Sequence, residues 1–141
     1  MTNPLTTYDG AEPGREICRG QTHLTQTDID GFCALLGYDD PAFRADAPGG
    51  AVAPTSMSLA FGLRLGWEAQ VFPPGVIRVG DENTYGVPAR AGDFLTTALT
   101  ITDRFERKGR RFLTYQMVTT NTRQEQVCCV RFTAIIPGGA R

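Results

Sequence analysis

An α+β fold, with one long central helix wrapped by a curved antiparallel sheet, follows from three features of the sequence. Thr55 to Gln70 sets Met57, Leu59, Ala60, Phe61, Leu63, Leu65 and Trp67 around almost every side of a helix about 24 Å long, so that helix must be surrounded. From Leu95 onward the apolar residues alternate with polar ones, which is the period of strands. The blocks run strand, helix, loop, buried helix and then four or so strands, an order that gives helix and sheet separate stretches of chain.

Taken in order, residues 1–14 hold Pro4, Gly10, Pro13 and Gly14 without an apolar period and read as a flexible lead-in. Residues 15–141 read as a single domain, opening with a short strand near Ile17. Thr25-Gln-Thr-Asp28 fits a helix-capping pattern; Ile29, Phe32, Cys33 and Leu36 follow at helical spacing until Gly37 stops the helix. Gly37 to Pro54 carries three Pro and three Gly and predicts an extended loop. Within the apolar helix Gly62 and Gly66 lie four residues apart, a side-chain-free strip where a sheet can approach closely. Pro73, Pro74 and Gly75 close that segment, and Val76 to Val87 predicts a strand. Leu95, Thr97, Leu99 and Ile101 predict the next strand, Arg104 to Arg111 a charged turn, and Phe112 to Thr120 its antiparallel mate. Cys128, Val130, Phe132, Ala134 and Ile136 share one face of a last strand, ended by Pro137-Gly138-Gly139.

Composition narrows the function classes. A chain of 141 residues, 41% hydrophobic and 21% charged, has the make-up of one ordinary globular unit. Its net charge of -1 supplies no general drive toward nucleic acid or anionic lipid. No stretch reaches the ~18 apolar residues that span a bilayer, and Met1 to Gly14 lacks the pattern of a signal peptide, so a cytoplasmic location is expected. Cys18, Cys33, Cys128 and Cys129 show no C-x-x-C spacing and read as buried free thiols; no metal and no cofactor are expected.

Four stretches, Thr25 to Gly37, Asp39 to Asp46, Val52 to Met57 and Tyr85 to Asp93, resemble the first helix, acidic-proline loop, central-helix entry and Pro-x-x-x-Gly-Asp turn of the MaoC-like branch of the hot-dog superfamily. The likeness covers roughly Gly20 to Pro137. It implies (R)-specific enoyl-thioester hydratase or 3-hydroxyacyl-thioester dehydratase chemistry at a subunit or domain interface. The family's catalytic Asp and His positions, carried over, are Tyr38 and Phe43. A phenol of ordinary pKa near ~10 is a poor base at neutral pH and a phenyl ring exchanges no proton, so the usual dyad is absent. By the same resemblance a backbone N–H at the helix entry, here Thr55 after Pro54, holds the thioester oxygen; a plain helix cap is the alternative role for Thr55.

Other candidates come from the residues themselves. Asp39 and Asp40 lie in the loop that carries catalysis in the family; either could replace the lost base, with Asp40 ahead, although Asp before Pro is also ordinary turn chemistry. Tyr38 could donate a hydrogen bond to a carbonyl, and Phe43 could wall the acyl pocket. Alternation places Asp81, Asn83 and Tyr85 on one face of a strand and Glu82 and Thr84 on the other, so polar groups point inward whichever face packs. Either they touch the ligand or they form a solvated edge. His23, the one histidine, reads as a surface residue. Arg107, Lys108, Arg110 and Arg111 read as a solvated hairpin tip that could also meet a carrier phosphate.

Three functions fit these features. The first is an enzyme acting on an acyl thioester, or a product derived from one, by dehydration, hydration or related proton transfer at a rearranged site. The second is a non-catalytic partner subunit that shapes the acyl tunnel for an active sister chain, and the third is a thioesterase. The partner is an acyl thioester together with a second copy of the chain or a related hot-dog subunit, with neither nucleic acid nor membrane.

Overall fold

A computed structural model of the chain describes residues 6–138. In chain order the elements are β1 (Glu16–His23), α1 (Gln26–Leu36), α2 (Ser58–Glu68), β2 (Ile77–Tyr85), β3 (Phe94–Arg107), β4 (Arg110–Thr120) and β5 (Gln126–Ile136). Single 3-10 turns, Pro41–Phe43 and Thr55–Met57, punctuate the long loop and open α2. The strands form one antiparallel sheet in the order β1-β3-β4-β5-β2, and α2 crosses one face against β1, β3, β4 and β5.

The sheet register explains the seat. Leu99, Met117 and Val130 lie abreast on neighbouring strands, as do Ile101, Tyr115 and Phe132, and all six are buried facing α2. Burial of each such side chain is worth roughly 1.5–3 kcal/mol, so this face anchors the molecule. A Cβ on Gly62 would lie 2.8 Å from that of Met117, which is why the helix can descend onto β4 there. Gly66 makes room instead for Phe72, a residue of the loop that follows α2. Phe72 stacks edge-on against Tyr115, with ring centroids 5.3 Å apart.

α1 behaves as its sequence predicts. Thr25 caps Asp28 N–H while the Asp28 carboxylate accepts from Thr25 N–H at 3.0 Å, and Gly37 ends the helix at φ 73. It covers a second core with Ile29 and Cys33, which join Leu24, Met57, Phe61, Leu95 and Val127.

Four expectations change. The central helix is shorter than Thr55 to Gln70 and is seated on the sheet rather than enclosed: Ala60, Arg64 and Trp67 line a solvent face, Trp67 being 63% exposed. The charged turn is far shorter than Arg104 to Arg111, because β3 and β4 pair out to Arg107 and Arg110; only Lys108 (φ 50) and Gly109 (φ 74) make the bend. Residues 6–14, read as part of a flexible lead-in, are docked. Thr6 and Ala11 are buried, and the guanidinium groups of Arg104 and Arg111 lie 5.4 Å and 5.1 Å from the Tyr8 ring centroid. Met1–Leu5 and Gly139–Arg141 lie outside the described residues. Lastly, all four cysteines are free, but only Cys33 and Cys128 are buried while Cys18 and Cys129 are half-buried. The adjacent pair does point to opposite faces, Cys128 inward beside Tyr85 and Cys129 outward beside Thr84.

Candidate functional site

The amino end of the helical stretch 55–68 opens into a cavity of about 90 Å³. Pro54, Thr55, Ser58 and Phe61 form one wall, and Tyr85, Val87, Pro88 and Val127 form the other. Gly86 holds the second wall in place. Its N–H donates to Val127 O at 2.9 Å and the next N–H to Gln126 O at 3.0 Å, and any Cβ on Gly86 would strike the Gln126 carbonyl. This close approach of two backbones turns Tyr85 and Val87 into the cavity. The signal in the sequence was the glycine at the strand end, which marks such an approach.

Pro54 is buried with φ -55 and ψ 140, the extended geometry from which a helix starts, and Thr55 follows as its first residue. The first N–H groups of a helix have no intrahelical partner, and among the described residues none accepts the Thr55 N–H. Thr55 does not use its side chain to cap the helix; its carbonyl accepts from the Ser58 hydroxyl. Tyr38 stands at the same helix end, its hydroxyl 3.3 Å from Ser56 Oγ and its ring centroid 6.2 Å from that of Phe43. Phe43 is half-buried against the second core.

The acidic candidates lie elsewhere. Asp39, Asp40, Asp81 and Glu82 are all exposed. Asp40 Oδ1 accepts from Ala42 N–H at 2.8 Å, capping the turn that starts at Pro41, and Asp39 contributes its main-chain carbonyl to Arg44. Asp81 does share the inward face of β2 with Asn83 and Tyr85, since these pair with Phe132, Val130 and Cys128. Its carboxylate, however, is engaged by the Arg78 guanidinium, with one bond of 2.7 Å. Glu82 lies on the opposite face abreast of Arg131. Asn83 is half-buried and its Oδ1 has no partner within the described residues.

The other nucleophile in reach is closed off. Cys128 Sγ donates to Ser58 O, and burial pushes its thiol pKa up, which leaves little thiolate at neutral pH. His23 stacks on Phe94 with centroids 4.3 Å apart and is exposed, outside this cavity.

A second, apolar cleft of about 400 Å³ runs between α1 and α2 and is lined by Leu24, Phe32, Leu35, Met57, Ala60 and Phe61 among others. Phe61 is common to both cavities. The basic hairpin tip lies at the other end of the sheet, for Arg111 pairs with Ile136, nine residues or roughly 30 Å along β5 from Val127. Its cations therefore do not border the site.

No protein-family model matches the chain, and no curated protein matches its sequence. Solved structures do. The R-hydratase PhaJ1 of Pseudomonas aeruginosa, unliganded, superposes with a TM-score of 0.77 at 22% identity, over 94% of this chain and 86% of that one. A MaoC-like dehydratase from Rhodospirillum rubrum superposes with a TM-score of 0.76 at 21% identity, over 94% and 96%. This is a hot-dog fold. Its structural neighbours include MaoC-like dehydratases and R-hydratases, and some are heteromeric. One is the HadBC 3R-hydroxyacyl-ACP dehydratase complex of Mycobacterium tuberculosis, with a TM-score of 0.73 at 20% identity over 86% and 96%. Among the described residues of this hot-dog chain, no helix is long and apolar enough to cross a membrane.

Proposed function

We propose that this chain binds an acyl thioester as one subunit of a hydratase- or dehydratase-type assembly, while the acid and base groups come from a second hot-dog chain. One observation carries the reading: the cavity at the amino end of α2 has a free backbone donor but no carboxylate or imidazole in its lining. The thioester carbonyl accepts the Thr55 N–H, where the partial positive charge of the helix end favours developing negative charge. The acyl chain lies along Phe61 into the apolar cleft between α1 and α2, with Phe43 and Tyr38 near its mouth. A thioesterase would need an acidic group beside the carbonyl, and the acidic candidates face water.

The second chain, a related one that carries the acid and base groups, meets the open edge of β2. Among the described residues that strand bonds to β5 alone, and it leaves Ile77, Val79 and Tyr85 exposed by 58%, 50% and 43%. Tyr38 and Tyr85 favour a second reading, in which a homodimer carries out the proton transfer with a phenol hydroxyl as donor.

The test is Thr55→Pro, which deletes the N–H at a position where proline suits a helix start and Pro54 already has the required extended geometry. Crotonyl-CoA binding by titration calorimetry should weaken about tenfold, the worth of one hydrogen bond, whereas Thr55→Ala should bind as the parent does. Unchanged binding by Thr55→Pro would remove the oxyanion role. Hydration of crotonyl-CoA by the purified chain alone would replace the partner-dependent reading with the phenol-donor one.

A further inference from the structure

The net charge of -1 hides a division of charge along the chain. Asp103 to Arg111 holds five cations against two carboxylates, whereas the rest of the chain holds nine against thirteen. That stretch is the end of the β3–β4 hairpin, and it projects: β1 pairs with β3 no further than Thr100, and β5 with β4 no further than Arg111. The register divides its side chains between the two faces of the sheet. Phe105, Phe112 and Ile135 lie abreast on β3, β4 and β5, on the face opposite α2, and all three are half-buried. Arg107 and Arg110 are the next pair along that same face, and Lys108 stands at the bend beyond them; all three are exposed. Glu106 pairs with Arg111 at 3.3 Å on the other face, while Asp103, inboard on the aromatic face, accepts from Arg104 N–H at 2.9 Å. Among the described residues no carboxylate lies within ion-pairing distance of Arg107, Lys108 or Arg110. Two guanidinium groups directly across a hairpin repel, so the fold sustains this pair without a countercharge.

We infer that this projecting end is a docking surface for an anionic lipid bilayer. An apolar row bordered by unpaired cations suits a membrane interface, where the rings reach headgroup depth and the long basic side chains stay level with the lipid phosphates. The charge complement is one-sided. The remainder of the chain is acidic and is repelled by the same surface, so the field of the molecule turns the hairpin toward it. A nucleic acid would engage the cations and leave Ile135 without an apolar partner, and a second copy would bring the same cations against them. The cavity at the amino end of α2 lies roughly 30 Å along the sheet, so a docked chain keeps it open to water. The surface is independent of the thioester reading.

Co-sedimentation of the full chain with phosphatidylcholine vesicles, plain or containing about a third phosphatidylglycerol, tests the surface. The chain should sediment with the mixed vesicles and stay in the supernatant with the plain ones. Arg107→Ala combined with Arg110→Ala should weaken partition about thirtyfold, the worth of two cations at an anionic surface. That double variant removes a like-charge pair, so it should be no less stable than the parent in urea. Arg123→Ala, which removes one exposed cation elsewhere, should leave partition unchanged. Phe105→Trp keeps an aromatic ring beside Phe112, and with Trp67→Phe removing the one native tryptophan its emission should move to the blue when mixed vesicles are added. Equal partition into both kinds of vesicle, partition that survives the double replacement, or emission that does not move overturns the surface. Binding of oligo-dT or of polyglutamate without binding of vesicles overturns it too, in favour of a nucleic acid or an acidic protein.

Discussion

Gly62 is where a single hydrogen decides the packing of the molecule. With Met117 Cβ 2.8 Å from the place a methyl group would take, Gly62→Ala forces α2 off β4 or Met117 out of its seat. The expected loss is about 1–3 kcal/mol in urea unfolding, despite alanine's better helix propensity. Asp40 is the contrasting case. It was a reasonable substitute base by position, but its carboxylate faces away from the cavity and accepts the Ala42 N–H. Asp40→Asn, which keeps an acceptor oxygen, should therefore leave thioester binding unchanged in the same calorimetric assay. The sequence alone could not separate these roles for Asp40, because both call for an acid ahead of a proline in a loop, and only the direction of the side chain distinguishes them. Thr55 differs in kind: the role proposed for it needs only a backbone N–H, which depends on where the helix begins and hardly on the side chain.

At the scale of elements, α1 was readable in full, since its caps are short-range chemistry contained between Thr25 and Gly37. Thr25→Ala removes one side of the reciprocal cap and should cost about 1 kcal/mol of stability. The bond from Thr25 N–H holds the Asp28 carboxyl below its ordinary range. A group depressed in the folded state stabilises at pH above its unfolded pKa, and that contribution is lost as pH falls through the folded value. Asp28→Asn should accordingly flatten the acid limb of a stability-pH curve measured by thermal unfolding. The β3–β4 hairpin was less legible. Its charged residues look like a turn, yet Phe105 stacks on Phe112 with centroids 4.9 Å apart and carries the pairing to the last residues before Lys108. The cross-strand contact outweighs the local preference of the charged side chains.

For the whole molecule, the pattern of apolar residues was enough to place a helix on an antiparallel sheet, and it overstated how completely the sheet would close around it. Seven apolar side chains in α2 and the preceding turn are more than one sheet face can cover. Leu59, Leu63 and Leu65 are half-buried, and Trp67 reaches Phe72 across the helix end, at 5.6 Å between centroids. The open edge of β2 is the other place where the single chain looks unfinished. Placing lysine at both Ile77 and Val79 should shift the assembly toward monomer in light scattering while leaving the far-ultraviolet circular dichroism unchanged. An unaltered mass for that double variant would move the interface elsewhere.

The segment from Thr6 to Gly14 also bears on how the protein is handled. Gly14 N–H donates to Ile101 O at 2.8 Å, Ala11 sits in the main core, and the carbonyls of Tyr8 and Asp9 accept from Arg104. It works as a stopper over the main core at the β3–β4 hairpin end of the sheet. A recombinant version trimmed to begin at Arg15 would leave that mouth uncorked, with the flank of Ile101 wet and Arg104 stripped of its ring. Such a trimmed chain should accumulate in inclusion bodies where the longer one stays in the supernatant.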